Sequence, residues 1–255
     1  MIDVSKPNNA RVYNYLLGGK DNFAIDRDAA ALVMDRDPGL RRRARLNRAF
    51  VTGASKRATQ AGIAQFLDLG CGLPAYPSVH EVARRLSSTA RVAYVDNDPV
   101  VFSHTNAMVV VDEGLAAAIA DIRDPAAVLA DNAIRSVIDL SQPACVIMAG
   151  VSQLLPAAQV AEITAGYMRA MPAGSWLVVS ADHVANDVLR ASLAPLYGAD
   201  VLYDHSPAEF ASFFSELDIV EPGIAEARRW LAGIGQLSRG EPAYVLCAAG
   251  VKSAR

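Results

Sequence analysis

The sequence predicts an α/β protein with a doubly wound, mainly parallel sheet and a helical extension ahead of it. Three observations carry that expectation. From residue 65 onward, short apolar runs of strand length alternate with helix-length segments, the pattern of a parallel sheet covered on both faces. Pro77, Pro99, Pro125, Pro156 and Pro207 each stand where a first helical turn is expected. Residues 1–61 show no strand pattern and read as helical.

Taken in order, Asn8-Asn9 caps a first helix through Arg11, Val12, Tyr15 and Leu16, and Gly18-Gly19 ends it. Asp21 caps a second helix that runs to about Asp35 and is broken by Pro38-Gly39. A third spans about Leu40 to Ala61, with Leu46, Ala49 and Phe50 as its apolar stripe. Arg41, Arg42, Arg43, Arg45 and Arg48 crowd its first half and read as a solvated basic face, from which one member can turn toward a ligand carboxylate. Gly18-Gly19-Lys20 is not a P-loop, since Asn14 and Asp21 stand where glycine and Ser/Thr are required. The expected strands are Gln65–Leu69, Arg91–Asp96, Leu115–Ala120, Ala144–Ala149, Ser175–Ser180, Leu217–Val220 and Ala243–Ala249. The expected helices are Pro77–Leu86, Pro99–Val110, Pro125–Val137, Pro156–Met171, Val184–Tyr197 and Pro207–Phe214. No long crossover helix separates the last two strands, so an antiparallel final strand is expected.

Composition bounds the function. A chain of 255 residues fits one large domain with an extension, here residues 1–61 ahead of a domain over 62–255. With 52% hydrophobic and 20% charged residues it is globular. A net charge of −3 offers no basic excess for a phosphate backbone, so nucleic acid is not expected as a partner. Cys71, Cys145 and Cys247 are widely spaced, an odd set that suits reduced thiols in the cytoplasm. No apolar run has the length of a membrane span, and the first residues lack a signal-peptide core. The oligomeric state is not legible.

The stretch Gln65-Phe-Leu-Asp68-Leu-Gly70-Cys-Gly72 is a buried strand, an acid and a glycine turn before a helix, which together form a nucleotide pocket. In a sheet of this kind the ligand sits outside the carboxyl ends of the strands, where their order reverses. The strand-end residues are therefore the candidate site: Asp68, Gly70 and Gly72, then Asp96 and Asn97, then Asp121 and Ile122, and Gly150. Asp96 can accept the ribose hydroxyls, Asp121 an adenine amino group, and the Ile122 N–H can donate to a ring nitrogen. Each acid can instead be a cap or turn residue, and Asp98 and Asp124 are assigned as caps because each precedes a proline. Gly70-x-Gly72-x-x-Ala75 with Asp96 also fits a dinucleotide fingerprint. Two details favour S-adenosylmethionine over NAD: Asp68 would repel a pyrophosphate, and Pro74 removes an N–H that a phosphate needs. Tyr13 and Tyr15 ahead of Gly18-Gly19 suggest a lid over residues 11–23 covering the cofactor, with Asn47 reaching the same ligand.

The set Asp68-Leu-Gly-Cys-Gly, Val95-Asp96-Asn-Asp98-Pro99 and Ala120-Asp121-Ile122 resembles the class I S-adenosylmethionine-dependent methyltransferases. Ala10-Arg-Val-Tyr13-Asn-Tyr15-Leu-Leu-Gly18-Gly19-Lys20-Asp-Asn-Phe23 resembles the start of a little-characterised S-adenosyl methyltransferase family found mainly in actinobacteria. Ala44-Arg-Leu-Asn47-Arg-Ala-Phe50, Val79-His80-Glu81-Val82 and Ile122-Arg-Asp124-Pro125 extend that similarity over most of the chain. The resemblance implies a Rossmann-like methyltransferase sheet of seven strands with the last antiparallel, and S-adenosylmethionine as cofactor. It implies no known acceptor. Family members often carry a histidine after strand four, where this chain has Gly150-Val-Ser152-Gln153.

Methyl transfer needs alignment first, and a base only when the acceptor must lose a proton. No Asn/Asp-Pro-Pro-aromatic motif follows strand four, which argues against a nucleobase or amide acceptor. His183, after strand five, is the one catalytic candidate, and its plainer reading is a hydrogen-bonded loop residue. Asp182, Asn186 and Asp187 lack metal-ligand spacing, so no metal is expected. The expected function is a methyltransferase acting on a small molecule. Two alternatives remain at this point, an NAD(P)-dependent reductase and a non-catalytic binder of S-adenosylmethionine or S-adenosylhomocysteine, the latter suggested by Ser152-Gln153.

Overall fold

The computed structural model describes residues 5–110, 112–182, 187, 190–191, 202–232 and 244–254. Its centre is a sheet of eight strands: β1 Gln65–Leu69, β2 Arg91–Asp96, β3 Leu115–Ile119, β4 Cys145–Ala149, β5 Trp176–Asp182, β6 Leu217–Ile219, β7 Ala225–Glu226 and β8 Val245–Lys252. The order is β3-β2-β1-β4-β5-β8-β6, with β7 pairing β8 off that path. Strands β1 to β5 pair in parallel, and β8 runs antiparallel to both β5 and β6. The chain lays β2 and β3 on one side of β1, then β4 and β5 on the other. Order therefore reverses between β1 and β4, where a doubly wound sheet opens its ligand crevice. The seven expected strands are present; the eighth, β7, is two residues long and has no apolar run to announce it.

The central strands are buried on both faces, which is why they read as continuous apolar runs. In β1 the side chains alternate: Phe66 packs in one core with Leu46, Phe50 and Ile147, and Leu67 and Leu69 pack in the other with Val146, Met148 and Tyr167. Asp68 shares the Phe66 face, so a carboxylate is carried into the interior by strand register.

Three helices precede β1: α1 Asn9–Leu17, α2 Ala24–Met34 and α3 Leu40–Gln60. Asn8 caps α1 by accepting from the Arg11 N–H at 3.1 Å, and Gly18 ends it in the left-handed conformation at φ +89°. Asp21 does not cap α2. Phe23 stands at that position, and Asp26 reaches back to its N–H at 2.8 Å, because Asp26 is held there by a buried pair with Arg11. α3 carries Leu46 and Phe50 into the core of the sheet, while Val12, Leu16, Val33 and Leu40 close a smaller cluster among the three helices.

The remaining described helices are α4 Val79–Arg84, α5 Pro99–Met108, α6 Pro125–Ala130, α7 Asn132–Val137, α8 Ala157–Ala170, α9 Pro207–Ser212 and α10 Ala227–Trp230. α4 starts after Pro77, since Ser78 and Glu81 form a reciprocal capping box. The segment expected as one helix over 125–137 is two, because Asp131 leaves the helical conformation and caps α7. Asp98 and Asp124 are N-caps as expected, accepting from Val100 N–H at 2.7 Å and Ala127 N–H at 3.0 Å. The helix expected over 184–197 lies outside the described residues apart from 187, 190 and 191.

Candidate functional site

A cleft of about 680 Å³ lies over the carboxyl ends of β1 to β5. That is within the range of small-ligand sites, roughly 300–1,000 Å³. Asp68, Gly70, Gly72, Asp96, Asn97, Asp121, Ile122 and Gly150 all border it, as do Tyr13 and Asn47 from the helical extension. Tyr15 and Gly18 do not. The Arg41 guanidinium lies 5.0 Å over the Tyr15 ring, on the far side of α1, and Gly18 is an exposed helix end. The segment that meets the cleft is instead Pro7 to Ala10 together with Tyr13. His183 falls outside the described residues.

The glycine turn is shaped for close approach. Gly70 has φ +66°, and a Cβ there would sit 2.6 Å from Val151. Its N–H and that of Cys71 both donate to the Val95 carbonyl, at 2.8 and 3.1 Å. The Gly72 N–H donates to Asp96 Oδ2 at 3.0 Å. All three amides are spent inside the protein, so the turn offers no nest of free N–H groups to a pyrophosphate.

The acids differ in state. Asp68 is 6% exposed, and no donor among the described residues bonds its carboxylate. Burial lifts its pKa to about 6, against the pull of Arg48 and with a push from Asp96. Asp96 is raised too, chiefly by burial, and is held in check by N–H groups of Asp98 and Gly72. Each of its oxygens keeps a lone pair for a further donor. Asp121 is lowered, first by its bonds with Arg123, whose Nε lies 2.9 Å from both oxygens. The Arg123 N–H also closes a turn on Asp121 at 2.9 Å. Asp121 thus combines the two roles that its position offered, strand-end acid and turn residue. The Ile122 N–H donates to nothing among the described residues, while the Ile122 carbonyl is held by Tyr167 at 3.1 Å.

One polar chain ties the extension to the sheet. Asn47 donates to the Tyr13 hydroxyl at 3.0 Å and accepts from the Ser180 hydroxyl at the end of β5. Tyr13 in turn donates to the Ala44 carbonyl at 3.1 Å, and burial pushes its pKa up to about 12. Gly150, at φ +70°, leaves room for this chain, since a Cβ there would sit 2.8 Å from Asn47 Nδ2.

Sequence reasoning missed Asn8, Arg48, Gln153 and Tyr203, all of which border the cleft. Arg48 is one member of the basic run that turns inward, donating to the Ala75 carbonyl at 2.8 Å and to the Pro77 carbonyl. Arg43 also turns inward, into a buried pair with Asp37 and 3.8 Å from Asp182, so the run is not a uniformly solvated face. A signal existed for Arg43 alone, which falls on the α3 side that carries Leu46 and Phe50; Arg48, two residues after Leu46, lies about 200° around the axis from it. Asn8 bonds Asp98, the cap beside Asp96. That contact spans 90 residues and has no local trace.

Comparison with known proteins gives a consistent result. A family model described as S-adenosyl methyltransferase matches residues 1–255. The structure is similar to that of a candidate methyltransferase from Thermobifida fusca YX, with a TM-score of 0.88 and 33% identity over 99% of this chain and 97% of that one. It is similar to a DUF574 family protein from Streptomyces avermitilis MA-4680, with a TM-score of 0.90 and 30% identity over 99% of this chain and 100% of that one. In fold alone it also resembles the N-methyltransferase NodS from Bradyrhizobium japonicum WM9 with S-adenosyl-l-homocysteine, at a TM-score of 0.52 and 15% identity over 95% and 98% of the two chains. No curated protein sequence matches.

Proposed function

We infer the function from one premise: this chain belongs to the S-adenosyl methyltransferase family and is an S-adenosylmethionine-dependent methyltransferase. Our reading is that it methylates a small molecule in the cytoplasm, in the cleft over β1 to β5. The observation that carries the reading is Asp68, a buried carboxylate with no hydrogen-bond donor among the described residues, beside a glycine turn whose amides are already spent. That set suits a cationic amino-acid end and offers nothing to a diphosphate, which sets the reductase alternative aside.

When bound, the cofactor supplies an activated methyl group and a neutral thioether leaving group. The chain's own residues do the rest. Asp96 accepts the ribose hydroxyls with its remaining lone pairs. The Ile122 N–H meets the adenine edge, with Asp121 beside it. Asp68 takes the ammonium, and Arg48, next to it, takes the carboxylate. Pro7 to Ala10 and Tyr13 also line the cleft, so residues 1–61 serve as part of the site rather than as an appendage. The dimensions support a small acceptor, because a cleft of about 680 Å³ is in the range of small-ligand sites.

Thermal unfolding tests the reading. S-adenosylmethionine at about 100 times its dissociation constant should stabilise the fold by about 2.7 kcal/mol. For a chain of this size that raises Tm by roughly 5–11 °C, and NADH should give no shift. A shift with NADH and none with S-adenosylmethionine would overturn it.

A further inference from the structure

Asn8 joins the helical extension to the ribose end of the cleft. All of its polar atoms but one are committed within the extension. Its N–H donates to Asp26 Oδ1 at 2.9 Å, its carbonyl accepts from the Val12 N–H at 2.8 Å, and its Oδ1 caps α1 on the Arg11 N–H. Asp26 is itself fixed by the buried pair with Arg11, whose Nε lies 2.8 Å from Oδ2. Residue 8 is therefore held from behind by a buried ion pair. The cap also fixes the amide orientation, since a flipped amide would set Nδ2 against the Arg11 N–H. Nδ2 points the other way and donates to Asp98 Oδ2, 90 residues along the chain.

Asp98 passes that tie to the acid assigned to the ribose. Its Oδ1 caps α5 on the Val100 N–H at 2.7 Å, and its own N–H donates to Asp96 Oδ1 at 3.0 Å. With the Gly72 N–H on Oδ2, that bond fixes how the Asp96 carboxylate turns. A carboxylate that must meet two hydroxyls at once tolerates only about 0.5 Å of drift. Asp96 and Asp98 are both half-buried, with exposed Asn97 between them, so the end of β2 does not bury this turn by itself. We propose that Asn8 is a positioning residue for the cofactor. It holds Asp98, and through Asp98 the Asp96 carboxylate, in the geometry that the ribose requires. This rests on the placement of S-adenosylmethionine in the cleft and goes beyond it, because ribose recognition then depends on a residue of the extension. Without the tie, the turn over residues 96–98 is held on one side only, and cofactor binding must order it. Ordering a side chain on binding costs about 1 kcal/mol, which is about fivefold in affinity.

The test exchanges donor and acceptor across this contact. Asparagine and aspartate are equivalent N-caps, so α1 and α5 keep theirs. Asn8→Asp sets two acceptors against each other. Asp98→Asn sets two donors against each other, unless its amide turns and gives up the cap. The double variant Asn8→Asp/Asp98→Asn restores the bond with its direction reversed. By calorimetry on the full chain, each single variant should bind S-adenosylmethionine about fivefold more weakly. The double variant should return to within about twofold of wild type. The effect should also run through Asp96. Asn8→Asp should change affinity by less than about twofold in an Asp96→Ala background, and by about fivefold in an Asp121→Ala background. Single variants that bind as wild type, a double variant that stays weak, or equal losses in the two backgrounds would each overturn the proposal. Opposite shifts in the two single variants would assign the effect to their opposite changes in charge, and would overturn it too. Failure of the wild type to bind the cofactor would instead defeat the methyltransferase reading beneath it.

Discussion

Asp68→Asn separates what the fold wants at this position from what the ligand wants. Unfolded, the carboxyl ionises near its ordinary value of 3.8; folded, near 6. An acid whose folded pKa is raised destabilises the fold once ionised, because the folded state must hold a buried charge. The cost is absent below pH 3.8, grows as pH rises between 3.8 and 6, and is complete above 6. A displacement of about two pH units corresponds to at most about 3 kcal/mol. Neutral asparagine escapes the cost, so the ligand-free variant should melt up to roughly 6–12 °C higher than wild type at pH 7.5. At pH 4 the two should melt together.

Cofactor binding should move the other way. Losing the carboxylate should weaken S-adenosylmethionine at least tenfold at pH 7.5. In the wild type, affinity should fall as pH drops below about 6, by up to tenfold per unit, since the carboxyl must lose its proton to meet an ammonium. The variant should show no such slope. Differential scanning fluorimetry without ligand and calorimetry from pH 5 to 8 at fixed ionic strength read both arms. An unchanged melting point at pH 7.5, or the same pH slope in both proteins, would refute the argument.

Other changes have distinct signatures. Asp96→Ala should weaken the cofactor by about 1.5–3 kcal/mol, because charged hydrogen bonds to two hydroxyls are lost; equal affinity by calorimetry would remove Asp96 from the site. Asp121→Ala should cost less, since Arg123 already occupies that carboxylate. Arg11→Met strands Asp26, which is 0% exposed, and should cost about 3–5 kcal/mol of stability in urea denaturation. Gly150→Ala adds left-handed strain of about 1–2 kcal/mol. It also displaces Asn47, and should lower both stability and cofactor affinity.

The residues legible in the sequence are those fixed by local spacing. Asp68, Asp96 and Asp121 each close an apolar run, and parallel strands in register bring their ends to one edge. Asp98 and Asp124 were legible as caps because a proline follows each. Asn47 was legible through the stripe of α3, though its partners Tyr13 and Ser180 lie 34 and 133 residues away. Tyr15 and Gly18 were misplaced because proximity along α1 does not decide which side of a helix faces the sheet. Tyr13 and Tyr15 are two residues apart, about 200° around the axis, so one ring meets the cleft and the other meets Arg41.

This contrast explains why the cofactor is legible and the acceptor is not. The cofactor half is made by strand ends, whose chemistry repeats every time a strand stops. The rest of the cleft is lined by Pro7 to Ala10, Gln153, Leu154 and Tyr203, which meet only after the helical extension and the segment before α9 have packed. Each of these residues reads as ordinary loop or helix until its partners are counted. Gln153 shows this: its amide nitrogen bonds the Gly150 carbonyl, and its main-chain carbonyl takes the Tyr203 N–H, a contact between distant parts of the chain that no local spacing announces. Strand ends can be read one at a time, whereas these contacts can be read only once the chain has folded.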